Sequence, residues 1–417
     1  MNWLGSSWLC GYGVCVLLLA SLPTAADDWT QWRGPHRDGK SAETGLLDHW
    51  PAGGPRLLWH AKNLGSGYST PSAAAGRVYM LVNQDPQHEE LIALSLADGT
   101  QQWATRIGGV GENRGPQYPG ARSTPTLDGQ RLYALGSDGD LVCVGTQTGE
   151  VQWHKNLKAD FGGKPGAWAY AESPLIDGNV LLCSPGGSSA TVVALNKQDG
   201  SLIWKSPIPE ADDASFSSPV VATVEGVKQY VLFLAKGVVG LNAQTGEVLW
   251  RYNKTADEAA NIPTPVVSAE FVYTGASRVG GGLVSVSGKT APPKEIYFAK
   301  SLPTGIGGSI LIDGYLYGAS GPTLMCAEYA TGKVMWQDRS IGACAVVAAD
   351  GKLYLHGENN EVALVKVSPE SYQELGRFTP PDAPDHGKAK AWSYPIIVDG
   401  KLLVRDVGSV WCYDIRG

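Results

Sequence analysis

The sequence predicts an all-β chain closed into an eight-bladed β-propeller of four-stranded antiparallel blades, and three observations carry that prediction. A glycine turn followed four residues later by Trp recurs at Asp98-Gly99 with Trp103, Thr148-Gly149 with Trp153, Asp199-Gly200 with Trp204, Thr245-Gly246 with Trp250 and Thr331-Gly332 with Trp336. The first four copies are spaced by roughly 50 residues, the signature of a repeat architecture. Each copy ends a unit of four short runs of β-branched, aromatic and aliphatic residues broken by Asp-Gly or Thr-Gly turns, the pattern of an antiparallel meander. No stretch between the turns sustains a 3.6-residue apolar period, which argues against helix. One such sheet cannot bury both faces, whereas radial stacking covers them and leaves only short edges.

The elements follow in order. Residues 1–26 read as a signal peptide, with an apolar stretch from Leu9 to Leu22 and small residues at Pro23-Thr24-Ala25-Ala26 ahead of cleavage before Asp27. No Lys or Arg precedes the apolar run, so an uncleaved N-terminal membrane anchor is the competing reading. Both imply export. Residues 27–54 form an N-terminal extension and 55–417 the propeller. Opening strands fall near Pro71, Pro125, Pro174, Pro219, Pro265, Ile310, Ala345 and Pro395, which sets the count at eight. Two units lack the Trp and end in Ile296-Tyr297-Phe298 and Gly376-Arg377-Phe378; each is expected to place an aromatic near the same position. The last unit stops after three strands at Val410-Trp411-Cys412-Tyr413, while Arg56-Leu57-Leu58-Trp59-His60 has a unit's ending and no strands before it. Pairing the two would close the ring and remove an exposed edge.

Trp59, Trp103, Trp153, Trp204, Trp250 and Trp336 end outermost strands, where docking against the next blade is the expected role. A net charge of −7 without basic clusters disfavours nucleic acid and anionic membranes as partners, and a monomer is expected. Five of the seven cysteines lie beyond the signal segment, and Cys143, Cys326 and Cys412 occupy equivalent third-strand positions, so a preference for a small apolar side chain explains them. No Cys-x-x-Cys or paired-His spacing points to a metal, and Gly318-Ala319-Ser320-Gly321-Pro322 fails the Gly-x-Ser-x-Gly pattern of hydrolases.

Residues just before each opening strand should approach the axis on one face. That set is Tyr68, Arg122, Trp168, Tyr170, Glu172, Phe216, Asn261, Trp392 and Tyr394. Aromatics mixed with one Arg and one Glu suit stacking and polar anchoring of a peptide, glycan or planar ligand. The alternative is that the aromatics plug the channel and Arg122 pairs with Glu172. The Gly-rich connections 108–122 and 158–172 are the candidate binding loops.

The repeat, clearest in Leu-Asn-Ala-Gln-Thr-Gly-Glu-Val-Leu-Trp at 241–250, resembles the pyrroloquinoline quinone (PQQ)-like β-propeller repeat. That family includes the quinoprotein alcohol dehydrogenases and is related to the propeller of the outer-membrane assembly lipoprotein BamB. The likeness spans residues 55–417 and speaks for fold far more than for function. The chain also resembles exported planctomycete-type PQQ-like proteins in residues 29–39, 235–240 and 376–381, although Thr304-Gly305-Ile306-Gly307-Gly308 stands where many of those have Asn-His-His-Gly-Gly. The dehydrogenase resemblance would imply adjacent cysteines against the quinone, a calcium held by Glu and Asn, and an Asp as base. Glu172 and Asn261 could supply oxygen ligands, but the chain has no Cys-Cys pair and no Cys-x-x-Cys-His. The expectation is an exported, BamB-like binding or protein-interaction scaffold of the periplasm or cell envelope, without catalytic residues or cofactor. Its partner would be an envelope protein, small molecule or glycan. The alternative is a PQQ- and calcium-dependent alcohol or sugar dehydrogenase.

Overall fold

The computed structural model describes Met1 and residues 28–113, 120–209, 212–385 and 390–417; the leader expected over residues 1–26 lies, Met1 apart, outside them. The described residues form eight antiparallel sheets of four strands each. The second blade shows the plan: Thr126–Asp128, Arg131–Leu135, Asp140–Gly145 and Val151–Asn156 pair in chain order. Opening strands of successive blades touch one another at five of the eight junctions, which places them innermost. The chain is an all-β eight-bladed propeller. Its eighth blade takes Ile396–Val398, Lys401–Asp406 and Ser409–Asp414 from the C-terminus and Arg56–Ala61 as the outer strand. Arg56 lies opposite Asp414 and Ala61 opposite Val410, and the Arg56 guanidinium meets the Asp414 carboxylate at 2.7 Å. The closing strand therefore runs one residue beyond the expected 56–60.

Register explains why the Gly and the Trp recur together. Each outer-strand Trp faces a small residue on the third strand: Ala93 for Trp103, Cys143 for Trp153, Ala194 for Trp204, Cys326 for Trp336 and Cys412 for Trp59. The indole then reaches the next blade, where its Nε1 donates to a backbone carbonyl. Trp59 bonds Leu96, Trp103 bonds Thr146, Trp153 bonds Lys197, Trp204 bonds Ala243 and Trp336 bonds Ser368, at 2.7 to 3.2 Å. For Trp59, Trp103, Trp153 and Trp204 the ring lies on the turn glycine of that blade, whereas Trp336 meets Tyr372 in a turn without glycine. A Cβ at Gly149 would stand 2.6 Å from the Trp103 ring and one at Gly246 2.5 Å from Trp204, and both glycines have positive φ. Two constraints, left-handed backbone and ring contact, thus select the same residue. The third-strand cysteines are the small partners this packing needs, and all five cysteines among the described residues are buried and unbridged.

Three blades depart from the plan. In the fifth, Tyr297 takes the Trp position opposite Leu283 and its hydroxyl donates to Tyr329 O at 2.9 Å. In the fourth, Trp250 shares a buried cluster with Val272 and Val284 of the next blade but does not bond a carbonyl there. It faces Gly240, where a Cβ would meet the indole at 2.2 Å, and the vacant volume draws the ring onto its own sheet. Its Nε1 donates to Gln229 Oε1 at 2.7 Å, and Gln229 Nε2 in turn donates to Ser287 O of the fifth blade at 2.8 Å. In the seventh, the position opposite Leu364 is Gly376, and Phe378 lies further along, opposite Val362. Trp50 of the extension fills the gap. Its backbone N–H donates to Leu375 O at 3.0 Å, and its ring lies 6.0 Å from Tyr354, as Trp336 lies 6.2 Å from Tyr317 one blade earlier.

The rest of the extension crosses the bore. Trp29 O accepts from Ala73 N in the first blade and Thr30 O from Leu127 N in the second, while Ser41 N donates to Ala348 O in the seventh. Arg37 donates to Ser173 O at 2.8 Å and Pro174 O at 3.0 Å, and Arg33 to Ser309 O. Both arginines adopt positive φ and are buried, so their guanidinium groups satisfy inner-ring carbonyls that water does not reach. The one helix among the described residues, Leu157–Phe161, is capped by Asn156 and by Gly162 at φ 64°. It sits in the connection between the second and third blades, outside the repeat runs. No helix among the described residues is long and apolar enough to cross a membrane.

Candidate functional site

At the mouth where the opening strands begin, six of the nine singled-out residues line one cavity of about 220 Å³: Tyr68, Arg122, Trp168, Phe216, Trp392 and Tyr394. Short extended segments ahead of the opening strands set them there. Tyr68 N donates to Ala121 O at 2.7 Å and the Asn83 carboxamide accepts from Ala121 N at 2.8 Å, which ties the first and second approaches together. The aromatic rings meet in pairs. Tyr68 and Trp392 have centroids 5.2 Å apart, Trp168 and Phe216 5.6 Å, and Tyr394 is met edge-on at 4.6 Å by Trp32. Trp32 belongs to the segment that crosses the bore and lines the same cavity. Its Nε1 is held by Thr264 Oγ1 at 2.8 Å.

Arg122 places its guanidinium 5.5 Å from the Tyr68 ring centroid and donates to Gly120 O at 2.9 Å and Trp168 O at 3.1 Å. Burial pushes it down to about 10, against attraction from Tyr68 and Glu89. Glu89, fully buried, accepts from Ser137 N at 2.6 Å; desolvation pushes its carboxyl up to about 7.

The other three residues lie in the wall. Tyr170 is buried and its hydroxyl donates to Pro185 O at 2.9 Å. Glu172 accepts from Ser184 N and is pushed up to about 7 by burial. Asn261 donates to Leu234 O and Ala235 O at 2.8 and 3.0 Å and accepts from Asp257 N at 2.8 Å. Ala169, at φ 66°, is the local cause for the first two: its left-handed backbone breaks the alternation of an extended segment, so Trp168 turns to the mouth and Tyr170 and Glu172 to the interior. The Arg122–Glu172 pairing is thereby corrected. No ion pair joins them among the described residues, and the charge that faces Glu172 is Arg37. Asn113, on connection 108–122, bridges to Trp168 on connection 158–172; residues 114–119 lie outside the described set.

Sequence reasoning missed Trp32 and Arg37, because the extension was read as lying outside the repeats. Its density of Trp and Arg, with Trp29, Trp32, Arg33 and Arg37 within nine positions, was the available signal, since such residues are poor candidates for a solvated tail.

Among solved structures the fold is similar to that of quinohemoprotein alcohol dehydrogenase from Comamonas testosteroni, with a TM-score of 0.66 at 12% identity over 94% of this chain and 81% of that one. BamB from Moraxella catarrhalis aligns with a TM-score of 0.57 at 13% identity, covering 83% and 94%. At such identities the likeness speaks for fold alone. In sequence, the chain is 25% identical over 291 residues to the outer membrane protein assembly factor BamB of Yersinia pestis, covering 64% of this chain and 68% of that protein. The family profile described as outer membrane protein assembly factor BamB, built on the PQQ-like repeat, matches residues 50–167 and 88–338. With more than half of its length matched, the chain belongs to this BamB-type PQQ-like β-propeller family.

Proposed function

We propose that the protein is a monomeric binding scaffold of the cell envelope that captures its ligand, a protein segment or small molecule, in the aromatic pocket at the propeller mouth. The aromatic lining of the pocket carries this reading. Its wall joins Trp168, Phe216, Tyr68 and Trp392, with Trp32 of the N-terminal extension beside them, rings that add large contact area with little conformational entropy to lose. The similarity to the outer membrane assembly factor of Yersinia pestis supports an envelope location and an assembly role over an enzymatic one.

A quinone site does not fit these residues. Glu172 and Asn261, the two that could have held calcium, are each committed to backbone groups of separate loops, and Glu172 faces Arg37. The cysteines are dispersed through the blades, far from any adjacent pair. Saturable quenching of tryptophan fluorescence by 1-anilinonaphthalene-8-sulfonate, an aromatic probe of mixed character, tests the pocket. Trp168→Ala is expected to weaken probe binding by about tenfold, the loss of roughly one stacking contact. Unchanged binding in that variant would refute the pocket as the ligand site.

A further inference from the structure

The aromatic pocket is the middle of a longer depression. A second cavity of about 90 Å³ adjoins it and shares Ile306 and Trp392 with it; a third of about 220 Å³ adjoins it elsewhere and shares Phe216 and Ala260. The second lies among residues of the sixth and seventh blades and the third among those around the fourth, so the three adjoin at the mouth and are read as one groove.

The two ends differ from the middle in charge. The slot is lined by small groups, including Gly305, Gly307, Ala343 and Ala391, with Glu358 as its charged residue. Gly307 packs so closely that a Cβ there would meet Cys344 O at 1.8 Å, so the slot is bounded by backbone. Glu358 accepts from Trp392 Nε1 at 2.9 Å and stands 3.7 Å from Lys390 Nζ, a loose pair that a better-placed cation can replace. At the opposite end Asp213, Asp257 and Glu258 line the third cavity. Arg278 engages Asp257 through Nε at 2.7 Å, while Asp213 and Glu258 are exposed and leave that end with net negative charge. Arg122 in the middle spends donors on Gly120 O and Trp168 O.

Building on the pocket reading above, we propose that this groove binds an extended polypeptide in which a large apolar side chain enters the central pocket and basic side chains flank it, one toward Glu358 and one toward Asp213 and Glu258. An extended chain advances about 3.3–3.5 Å per residue, so a segment of several residues spans adjoining cavities. The backbone-lined slot suits close passage of such a chain. Carboxylates at both ends complement a basic segment, and the net charge of −7 steers cationic partners toward the protein. A neutral glycan would gain from the aromatic middle but not from the acidic ends.

The test is fluorescence anisotropy with the full chain and labelled nine-residue peptides bearing a central Phe and two Lys, two Ser or two Glu on either side. The Lys peptide is expected to bind about tenfold more tightly than the Ser peptide and to weaken severalfold between 50 and 300 mM salt, as exposed charge pairs are screened. Glu358→Gln and the pair Asp213→Asn/Glu258→Gln should each weaken the Lys peptide by roughly threefold or more, and leave the Ser peptide unchanged. Equal binding of all three peptides, with Trp168→Ala still abolishing it, would overturn the basic-peptide assignment and keep the pocket. Binding of chitohexaose in place of every peptide, again lost in Trp168→Ala, would do the same. Peptide binding indifferent to Trp168→Ala would overturn both.

Discussion

Arg37 and Glu172 are both buried in the wall, where no direct ion pair joins them among the described residues but their charges attract one another. Burial pushes the Arg37 guanidinium down to about 9 and the Glu172 carboxyl up to about 7, with mutual attraction working against both displacements. A carboxyl whose native pKa lies above its unfolded value binds more protons when folded, so its contribution is complete below about pH 4.5 and declines as pH rises through about 7. Glu89, pushed up to about 7 by the same cause, adds to the slope. Removing Arg37 strips Glu172 of its counter-charge. Arg37→Met is therefore expected to cost about 1–3 kcal/mol at pH 8, where the Ser173 and Pro174 carbonyls lose their donor and a charged Glu172 loses a nearby attraction, and distinctly less at pH 5, where Glu172 is protonated. Arg37→Met/Glu172→Gln should recover much of the loss at pH 8. Urea unfolding of the three proteins at both pH values decides it; a loss independent of pH and not relieved by the second substitution would show that Arg37 acts only through the Ser173 and Pro174 carbonyls.

At the scale of elements, residues 56–61 and the segment before them do different jobs although they are contiguous. The closing strand satisfies the outer edge of Ser409–Asp414 and sends Trp59 to Leu96 in the first blade. The preceding segment fills the bore and the seventh-blade gap. A chain starting at Pro51 keeps the edge covered and should remain soluble and monomeric with a lowered melting temperature. A chain starting at Lys62 exposes an unpaired edge, which templates strand addition from other copies, and should self-associate in light scattering. Equal behaviour of the two truncations would show that edge coverage is not what residues 56–61 supply.

For the whole molecule, the ring is held by a series of like contacts between neighbouring blades, and a gap in the series is a weak point for all of it. Trp50 fills such a gap from outside the repeats, over Gly376 and against Tyr354 and Phe378. Trp50→Ala is expected to cost about 3–5 kcal/mol, the range for truncating a buried aromatic. Because adjoining blades bury each other's faces, the loss should lower one cooperative thermal transition; a separate early transition with the main one unmoved would indicate that the seventh blade opens alone.

The strands, their number per blade, the eight-fold count and the closure by residues near 56–60 were all legible in the sequence. Turn glycines, alternation and the Trp period are local patterns, and each blade repeats them. The cluster Tyr68, Arg122, Trp168, Phe216, Trp392 and Tyr394 followed from the same logic, since the segment just ahead of an opening strand must come near the axis, whichever of its side chains then faces the mouth. Tertiary structure decided what local pattern cannot encode. The left-handed Ala169 turned Tyr170 and Glu172 into the wall, and the empty volume over Gly240 drew Trp250 back onto its own blade. The extension, with no repeat to match, acquired its course through the bore only from carbonyls and gaps contributed by distant blades. Those partners are hundreds of residues apart in sequence, so Arg33, Arg37, Trp32 and Trp50 could be placed only once the ring had closed around them.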